Sequence, residues 1–393
     1  MTTNVVVAGV GMIPFTKPGQ SDPYTVMGEK AARSALVDSR LDYKAIQQAY
    51  VGYVYGDSTC GQAALYPLGL SGIPILNVNN NCSTGSSALF LARQAVESGM
   101  VDCALALGFE QMTPGALGSV FDDRPPPLTS FLEEMVALQG FKEDAPVAAQ
   151  FFGGAGVEYM EKYGISAETF GKISVKARQH AANNPFAVFR DPLTLEEVME
   201  SKHIIGPLTR FHCCPPTCGA AAAVVCSEDF ARKHNIDHGV KILAQSMTTD
   251  FSSTFEDHSM SKVVGYDMAK AAAQEVYEKS GVGPEDVRVV ELHDCFTANE
   301  LITYESLGLT GEGTAEKFIE DGDNTYGGRV VTNPSGGLLS KGHPLGATGL
   351  AQCAELCWQI RGEAQERQVE NVNVALQHNL GLGGACVVTM YGR

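Results

Sequence analysis

The sequence predicts an α/β fold in which mainly parallel strands are joined by helices. Three observations support this prediction. Short runs of β-branched and apolar residues alternate with alanine-rich helical patterns. The same order of elements recurs in the second half of the chain. The composition, 44% hydrophobic and 19% charged over 393 residues, supplies apolar side chains for a large core, and this length predicts two or three domains.

The first half alternates predicted strands with predicted helices. The strand candidates are rich in valine, isoleucine and leucine, as buried strands are, and the helix candidates place apolar residues at helical spacing. The predicted buried strands are residues 5–9, 49–54, 75–79 and 103–108, and the predicted helices are residues 29–39 and 86–99.

Residues 113–212 have a different character. The stretch "TPGALGSVFDDRPPPLTS" interrupts any regular element, and the patterns that follow are helical with less strand signal. We expect an inserted, more mobile subdomain here. Insertions of this kind often shape a substrate pocket on a rigid scaffold.

The second half repeats the order of the first. Its predicted strands are residues 241–247, 287–293 and 372–378, and its predicted helices are residues 268–281 and 349–362. The segments "TGSSALFLARQAVESG" from Thr84 and "TGLAQCAELCWQIRG" from Thr348 can be overlaid, and a strand follows each. The match is consistent with an internal duplication and also with coincidence between two alanine-rich helices, and both readings stay open.

The charge and the cysteines restrict the classes of partner. A net charge of −17 argues against nucleic acid or an anionic membrane as a partner. A coenzyme A (CoA) ester remains compatible, because its phosphates respond to local lysines, arginines and helix N-termini. Several of the eleven cysteines lie in apolar runs, which is typical of reduced thiols in an intracellular protein. No secretory signal and no membrane-spanning run is visible, so we expect no stable membrane insertion.

The segment "NVNNNCSTGSSALF" places Cys82 where a strand gives way to a helix. A cysteine at a helix start lies among unpaired N–H groups and the positive end of the helix dipole, and both favour the nucleophilic thiolate. The alternative is a buried cysteine that packs as a small hydrophobic residue.

Three further segments carry chemistry. "ELHDCF" ends a predicted strand in His293, Asp294 and Cys295, and sites in α/β sheets form at such ends. "NPSGGLLSKGHPLGATG" is a glycine-rich loop that can bring His343 close to a ligand. "HNLGLGGA" places glycine N–H groups after a strand. The alternatives are a satisfied buried histidine and an ordinary loop. Together the four segments suit acyl transfer through a thioester, provided that they meet in space.

These segments, together with "GYVYGDSTCGQ", "LALGFEQM" and "GDNTYGG", resemble the thiolase superfamily, specifically its sterol carrier protein x type, over nearly the whole chain. The resemblance implies two duplicated βαβαβαββ halves in a layered α/β/α/β/α arrangement with an inserted loop domain, and a homodimer. It assigns residues 1–112 plus 213–237 to the N-terminal half, residues 113–212 to the loop domain and residues 238–393 to the C-terminal half.

The resemblance also implies roles for the residues of the candidate site. Cys82 is the acyl-accepting nucleophile, and His343 is its base. His293 and His343 form the oxyanion hole for the thioester oxygen, and Asp294 supports them. Cys295 is the second acid/base, since Gly381 stands where ordinary thiolases have that cysteine.

The second oxyanion hole is implied in the same way. The N–H groups of Cys82 and Gly383 are expected to hold the tetrahedral oxyanion.

The implied activity is that of a 3-ketoacyl-CoA thiolase that acts on medium, long or branched acyl chains. CoA is then a co-substrate, and no cofactor is permanently bound. Two alternatives remain: a condensing enzyme like the ketoacyl synthases, which do without a second cysteine such as Cys295, and a non-catalytic protein that binds acyl-CoA or lipid. The compartment stays open, with the peroxisome implied for an animal chain and the cytoplasm for a bacterial one; "MYGR" is not a peroxisomal signal.

A second cluster of thiols invites a metal interpretation. His212, Cys213, Cys214 and Cys218 lie close together in sequence, but adjacent cysteines are awkward chelators and no second pair is near. We therefore expect structural thiols here and no metal site.

Overall fold

The computed structural model describes residues 3–115 and 117–393, and this part of the chain forms twelve strands and fifteen helices. The strands are β1 Val5–Met12, β2 Gln48–Gly52, β3 Ile75–Val78, β4 Cys103–Glu110, β5 His203–Ile205, β6 Leu208–Thr209, β7 Gly219–Ser227, β8 Val240–Thr248, β9 Val289–Glu291, β10 Val331–Thr332, β11 Val374–Leu380 and β12 Cys386–Gly392. The helices are α1 Tyr24–Ser39, α2 Cys60–Leu65, α3 Thr84–Glu97, α4 Thr129–Gln139, α5 Val147–Tyr163, α6 Glu168–Ala181, α7 Leu195–Met199, α8 Glu228–Lys233, α9 Ser253–Glu256, α10 Met260–Val263, α11 Tyr266–Ser280, α12 Thr297–Ser306, α13 Ala315–Glu320, α14 Gly337–Ser340 and α15 Leu345–Arg361.

Ten of the strands form one hydrogen-bonded sheet in the order β10-β9-β11-β12-β8-β1-β7-β4-β2-β3. Strands β1 and β8 meet at the centre of the sheet, where they are joined by two residue pairs, Val6–Lys241 and Val7–Val240. Outward from this centre, β7, β4, β2 and β3 on one side correspond to β12, β11, β9 and β10 on the other. In the first half β2 runs parallel to β3 and β4, and in the second half β9 runs parallel to β10 and β11. The sheet therefore consists of two halves with the same topology.

The helices complete a layered arrangement. Helices α3 and α15 pack against each other and against strands of both halves, and one hydrophobic core fills this middle layer. Helices α1 and α2 cover the other face of the first half, and α11 and α12 cover that of the second half. The predicted α/β fold with layered duplicated halves is confirmed.

Two predicted strands differ from the observed ones. Residues 75–79 were expected to be buried, but β3 lies at the sheet edge, pairs only with β2, and leaves Leu76 40% exposed. An apolar run does not reveal whether both edges of a strand have partners. Residues 287–293 form a strand only over Val289–Glu291, because the chain then turns and the Asp294 N–H donates to the Leu292 carbonyl.

Residues 113–212 contain α4 to α7 and the separate β5–β6 hairpin. This part packs on the helices that cover the second half of the sheet. Helices α5 and α6 lie against α12, and α4 lies against α10. The helix-rich content agrees with the sequence pattern, and the predicted domain boundaries remain a prediction. Within the described residues, no helix is both long enough and apolar enough to cross a bilayer.

Candidate active site

Cys82 lies in the tight turn between β3 and α3. Asn81 adopts a left-handed backbone conformation with φ of 52°, which asparagine tolerates better than most residues. The N–H groups of Ser83 and Thr84 donate to the carbonyls of Asn80 and Asn81 at 3.2 and 3.1 Å. These bonds hold the thiol just before the first turn of α3.

The nucleophile meets both predicted histidines. Cys82 Sγ and a ring nitrogen from each of His293 and His343 all lie within 4.8 Å of one another. The two imidazole rings are 5.0 Å apart at an interplanar angle of 83°. Both histidines are buried, whereas Cys82 keeps partial exposure. Segments from both halves of the fold therefore converge on one thiol, as acyl transfer requires.

The hydrogen bonds of His343 indicate where its proton resides. Its Nδ1 lies 2.7 Å from the Thr348 hydroxyl, which also lies 3.1 Å from the Pro344 carbonyl. A hydroxyl that donates its one proton to a carbonyl accepts from the imidazole, so Nδ1 carries the proton. The lone pair is then on Nε2, which is buried without a partner among the described residues. Burial also lowers the pKa of His343 to about 3, so this lone pair is available as a base.

His293 is held by Asn379. The side-chain nitrogen of Asn379 lies 3.0 Å from His293 Nδ1 and 3.2 Å from the Cys82 carbonyl oxygen. Burial holds the pKa of His293 well below its usual value, and positive charge on His343 or His378 would lower it further. His293 is therefore neutral at physiological pH.

Asp294 ties the two histidine segments together. Its carboxylate accepts the N–H groups of Leu338 and Leu339, at 2.7 and 3.2 Å, from α14 in the loop that leads to His343. Burial raises the pKa of Asp294, and the charge of Glu300 adds to that rise. The carboxyl group thus fixes the spacing between the loops that carry His293 and His343.

Cys295 lies beside the same site. It is buried, and its carbonyl accepts the Cys214 N–H at 2.9 Å. Burial raises the pKa of Cys295, and negative charge on Cys214 or Cys82 would raise it further. The thiol is therefore protonated at rest and can act as an acid.

The glycine loop leaves no room for a side chain at position 381. A methyl group at Gly381 would lie only 2.3 Å from the Asn80 carbonyl oxygen and 2.9 Å from Ser83 Oγ. The turn that carries Cys82 thus occupies the space that a side chain at Gly381 would need. Gly383 has a left-handed φ of 62°, and a methyl group there would lie 2.3 Å from Leu128 Cδ2.

The surroundings of Cys82 favour the neutral thiol over the thiolate that a helix start would favour. Burial raises the pKa of Cys82 to about 12, and the charge of Glu110 adds to the rise. The nearest N–H groups of α3 are already bonded to turn carbonyls, so they stabilise the sulfur less than a free helix end would. The thiol instead lies 3.8 Å from Asn81 Oδ1, as a hydrogen-bond donor does. Cys82 and His343 therefore form a neutral pair at rest.

This neutral pair predicts how Cys82 alkylation depends on pH. Because the pKa is raised, the thiolate fraction should increase about tenfold per pH unit, so iodoacetamide alkylation should still accelerate between pH 8 and pH 10. Rates are measured by peptide mass mapping. His343→Ala should slow the reaction near neutral pH, and His293→Ala should leave it nearly unchanged. A rate that is already constant by pH 7 would contradict the neutral pair.

The site has the donor types of a metal centre. A thiol and two imidazoles are common zinc ligands, and Cys82, His293 and His343 lie close enough to share an ion. However, His293 Nδ1 accepts a hydrogen bond from the Asn379 amide, which leaves the ring proton on Nε2 and that nitrogen without a lone pair for a metal. The arrangement fits a hydrogen-bond donor better than a metal ligand.

The second thiol cluster separates in the fold. His212 Nδ1 accepts the Thr209 N–H at 2.8 Å, and Cys218 Sγ lies 3.4 Å from the Met112 carbonyl. Cys214, which the sequence indicated only as a structural thiol, lies next to Cys295. The segment therefore borders the active site without forming a common cluster.

Sequence reasoning missed three residues of the site. Asn379 and Thr348 contact the two histidines, and Glu110 accepts the N–H groups of Val54, Tyr55 and Gly346 at 2.9 to 3.1 Å. Burial raises the pKa of Glu110 to about 7. The sequence offers one signal for Glu110, which is an acidic residue at the carboxyl end of an apolar strand. For the two polar neutral residues, only the contacts reveal the role.

Comparisons with known proteins agree with this geometry. Residues 5–229 match the family described as "Thiolase, N-terminal domain", and residues 250–391 match "Thiolase C-terminal domain-like". Sterol carrier protein 2 of Oryctolagus cuniculus is 57% identical over 391 residues, which cover 98% of this chain and 71% of that protein.

Two solved structures share the fold. An Ltp2-ChsH2(DUF35) aldolase superposes with a TM-score of 0.83 at 25% identity, covering 99% of this chain and 97% of the other. Human mitochondrial 3-ketoacyl-CoA thiolase in complex with CoA superposes with a TM-score of 0.73 at 18% identity, covering 99% and 98%. The chain belongs to the thiolase family and is an acyltransferase.

Proposed function

We propose that the chain cleaves 3-ketoacyl-CoA with CoA to give acyl-CoA and acetyl-CoA through an acyl-Cys82 intermediate. The observation that carries the proposal is the convergence of Cys82 Sγ with the ring nitrogens of His293 and His343 within 4.8 Å. A thiol, a neutral imidazole base and a second imidazole are the groups that such a reaction needs.

The first half-reaction forms the acyl-enzyme. His343 Nε2 takes the Cys82 proton as the sulfur attacks the 3-keto carbon, and the bond between C2 and C3 then breaks. The electron pair moves onto C2 to give the enolate of acetyl-CoA, whose oxygen accepts hydrogen bonds from His293 and His343. Cys295 donates its proton to C2, and acetyl-CoA leaves.

The second half-reaction transfers the acyl group. The Cys295 thiolate takes the proton of the incoming CoA thiol, whose sulfur attacks the acyl carbonyl on Cys82. The N–H groups of Cys82 and Gly383 hold the tetrahedral oxyanion, which collapses to acyl-CoA. Cys82 leaves as a thiolate and recovers its proton from His343, so protons and electrons balance over the cycle.

The neutral resting pair gives the first step a physical requirement. Proton transfer from Cys82 to His343 is unfavourable in the free enzyme, because burial raises one pKa and lowers the other. The transfer becomes favourable only when the oxyanion that forms is stabilised at the same time. The chain therefore holds an unreactive thiol until a ketoacyl ester binds.

Two other activities are compatible with the fold. A condensing enzyme of the ketoacyl synthase kind would not need the thiol of Cys295, and an aldolase, as in the structural neighbour, would cleave a carbon–carbon bond without acylating Cys82. A non-catalytic acyl-CoA binding protein would need neither reaction. The presence of both Cys82 and Cys295 at one site supports thiolysis over each of these.

The segment around Leu128, which contacts the glycine loop, supports an acyl chain as substrate. Leu128 reaches Gly383 from this segment, and its neighbours expose several large apolar side chains to solvent: Leu117 52%, Val120 67%, Phe121 55%, Phe141 46% and Val147 43%. Exposed apolar surface on the residues that flank Leu128 in the chain supports a medium, long or branched acyl chain as substrate. CoA is the proposed co-substrate, as it is the ligand of the human structure.

Thiolysis rates across 3-ketoacyl-CoA esters of increasing length and branching test this function. We expect turnover with long and branched esters, and we expect Phe121→Asp to raise KM for them about tenfold, since removing such a contact costs roughly 1.5–3 kcal/mol. The same variant should leave acetoacetyl-CoA unaffected. Met100→Asp, at an apolar position that is 70% exposed and follows the C-terminal end of α3, is the matched control. No thiolysis of any ester would contradict the proposal.

We also propose that the chain forms a homodimer through the edge strand β3. Within the described residues the strand has a hydrogen-bonded neighbour, β2, on one side only. Leu76 on the strand is 40% exposed, and Leu70 and Tyr66 in the segment that precedes it are 81% and 51% exposed. Edge strands with exposed apolar neighbours are typical pairing surfaces. Sedimentation velocity should show a species of twice 41.8 kDa, which Leu76→Asp should shift toward the monomer.

A further inference from the structure

The side chain of Asn379 lies between two groups of the active site. Its nitrogen is 3.0 Å from His293 Nδ1 and 3.2 Å from the Cys82 carbonyl oxygen. A carbonyl oxygen only accepts hydrogen bonds, so the end of the amide that faces it must be the NH₂ group. The two amide protons then serve the two acceptors, one each.

This orientation determines the tautomer of His293. Because Nδ1 accepts a hydrogen bond from the amide, the single proton of the neutral imidazole resides on Nε2. The backbone of His293 is held independently, since its N–H donates to His378 Nδ1 at 3.3 Å and its carbonyl accepts from the side chain of Asn299. The position of the ring proton therefore depends on Asn379.

The other end of the amide supports this interpretation. Asn379 Oδ1 is buried and has no hydrogen-bond partner within the described residues. Leaving a buried acceptor unpaired costs on the order of 1–3 kcal/mol. An amide is a poor choice for packing at such a position, so its value lies in the NH₂ group that faces His293 and Cys82.

We propose that Asn379 is a positioning residue that holds His293 in the Nε2–H tautomer, so that His293 donates a hydrogen bond to the thioester oxygen of the substrate. The role in catalysis rests on the proposed thiolase function. The tautomer itself does not, because it follows from the hydrogen bonds of the free protein.

Asn379→Asp is the sharpest test, because it keeps the shape and reverses the hydrogen bond. A carboxylate would accept a hydrogen bond from Nδ1–H, so the single proton of the neutral imidazole would move from Nε2 to Nδ1 and the oxyanion donor would be lost. We expect kcat for thiolysis to fall about 100-fold at pH 8 with a smaller change in KM. The titratable groups that face His293 are His343, His378 and Cys82.

The pH profile separates this role from a structural one. As pH falls, protonation of either the imidazole or the new carboxyl restores a proton on Nε2. The deficit of Asn379→Asp relative to the parent should therefore shrink by at least about tenfold from pH 8 to pH 6. Asn299→Ala removes an amide that hydrogen-bonds only the backbone of His293. Any loss of activity in this variant should not change with pH. A deficit of Asn379→Asp that does not change with pH would overturn the proposal.

A second readout does not use activity. Long-range ¹H–¹⁵N spectra of protein labelled at histidine report which ring nitrogen is protonated, and His293→Ala assigns the resonance. We expect an unprotonated Nδ1 in the parent and a protonated Nδ1 in Asn379→Asp. A parent with a protonated Nδ1 would overturn the inference even if thiolysis is observed. The expected tautomer in a protein without thiolysis would instead refute only the function.

Discussion

Cys82→Ala is expected to reduce thiolysis by roughly 10³-fold or more, because the reaction then lacks the atom that accepts the acyl group. The described residues place two other thiols nearby, Cys295 and Cys214, but only Cys82 lies within 4.8 Å of ring nitrogens of both His293 and His343, so neither replaces the nucleophile. Initial rates with a long-chain 3-ketoacyl-CoA measure the loss. The folded state should persist, since alanine fits the space of the thiol.

A matched control for this variant is Cys226→Ala. Cys226 is a fully buried thiol in β7 and belongs to the core of the first half. The Cys226→Ala protein should lose some stability and keep its turnover within a few-fold of the parent. Comparable losses in Cys226→Ala and Cys82→Ala would mean that the effect is structural, and retained turnover in Cys82→Ala would contradict covalent catalysis.

Cys295→Ser is the second variant with a large expected effect. A hydroxyl does not exchange protons near neutral pH as a thiol does, and acid/base groups contribute about 10²–10⁴-fold, so thiolysis and condensation should both fall by at least about 10²-fold. Acylation of Cys82 by a reactive acyl-CoA should continue, because that step uses His343. Stopped thiolysis together with intact acylation is the expected combination, measured by steady-state rates and by the mass of the intact protein.

The alternative is that Cys295 only packs beneath the site. Turnover within a few-fold of the parent would then follow, and the proposed mechanism would have to be abandoned. Restoring a thiol at Gly381 in the Cys295→Ser background gives a further control. Gly381→Cys should not rescue activity, because the Asn80 carbonyl lies 2.3 Å from where the new Cβ would be.

Much of this arrangement could be predicted from the sequence. The alternation of strands and helices indicated the α/β fold, and the likeness of the segments that start at Thr84 and Thr348 corresponds to the two helices of the middle layer. His293 was identified as one of three reactive residues at a strand end, and His343 was identified in a glycine-rich loop. Their meeting with Cys82 depends on the way in which the two halves pack.

The parts that could not be predicted depend on tertiary contacts. The protonation of Cys82 is set by burial and by Glu110, which lies 28 positions away in sequence, and this outweighs the local effect of the helix end. The exposure of β3 depends on which strands pair with it. The tautomer of His293 depends on one amide from β11. None of these leaves a periodic pattern in the sequence.

Mapping the acyl group tests the central claim most directly. The Cys295→Ser variant should accumulate the intermediate when it is incubated with a reactive acyl-CoA, quenched in acid and digested. We predict that the added mass corresponds to the acyl chain and is found on Cys82, within residues 77–90. An acyl group on Cys60, Cys103 or another thiol, or turnover by the parent enzyme without any acylated Cys82, would contradict the mechanism.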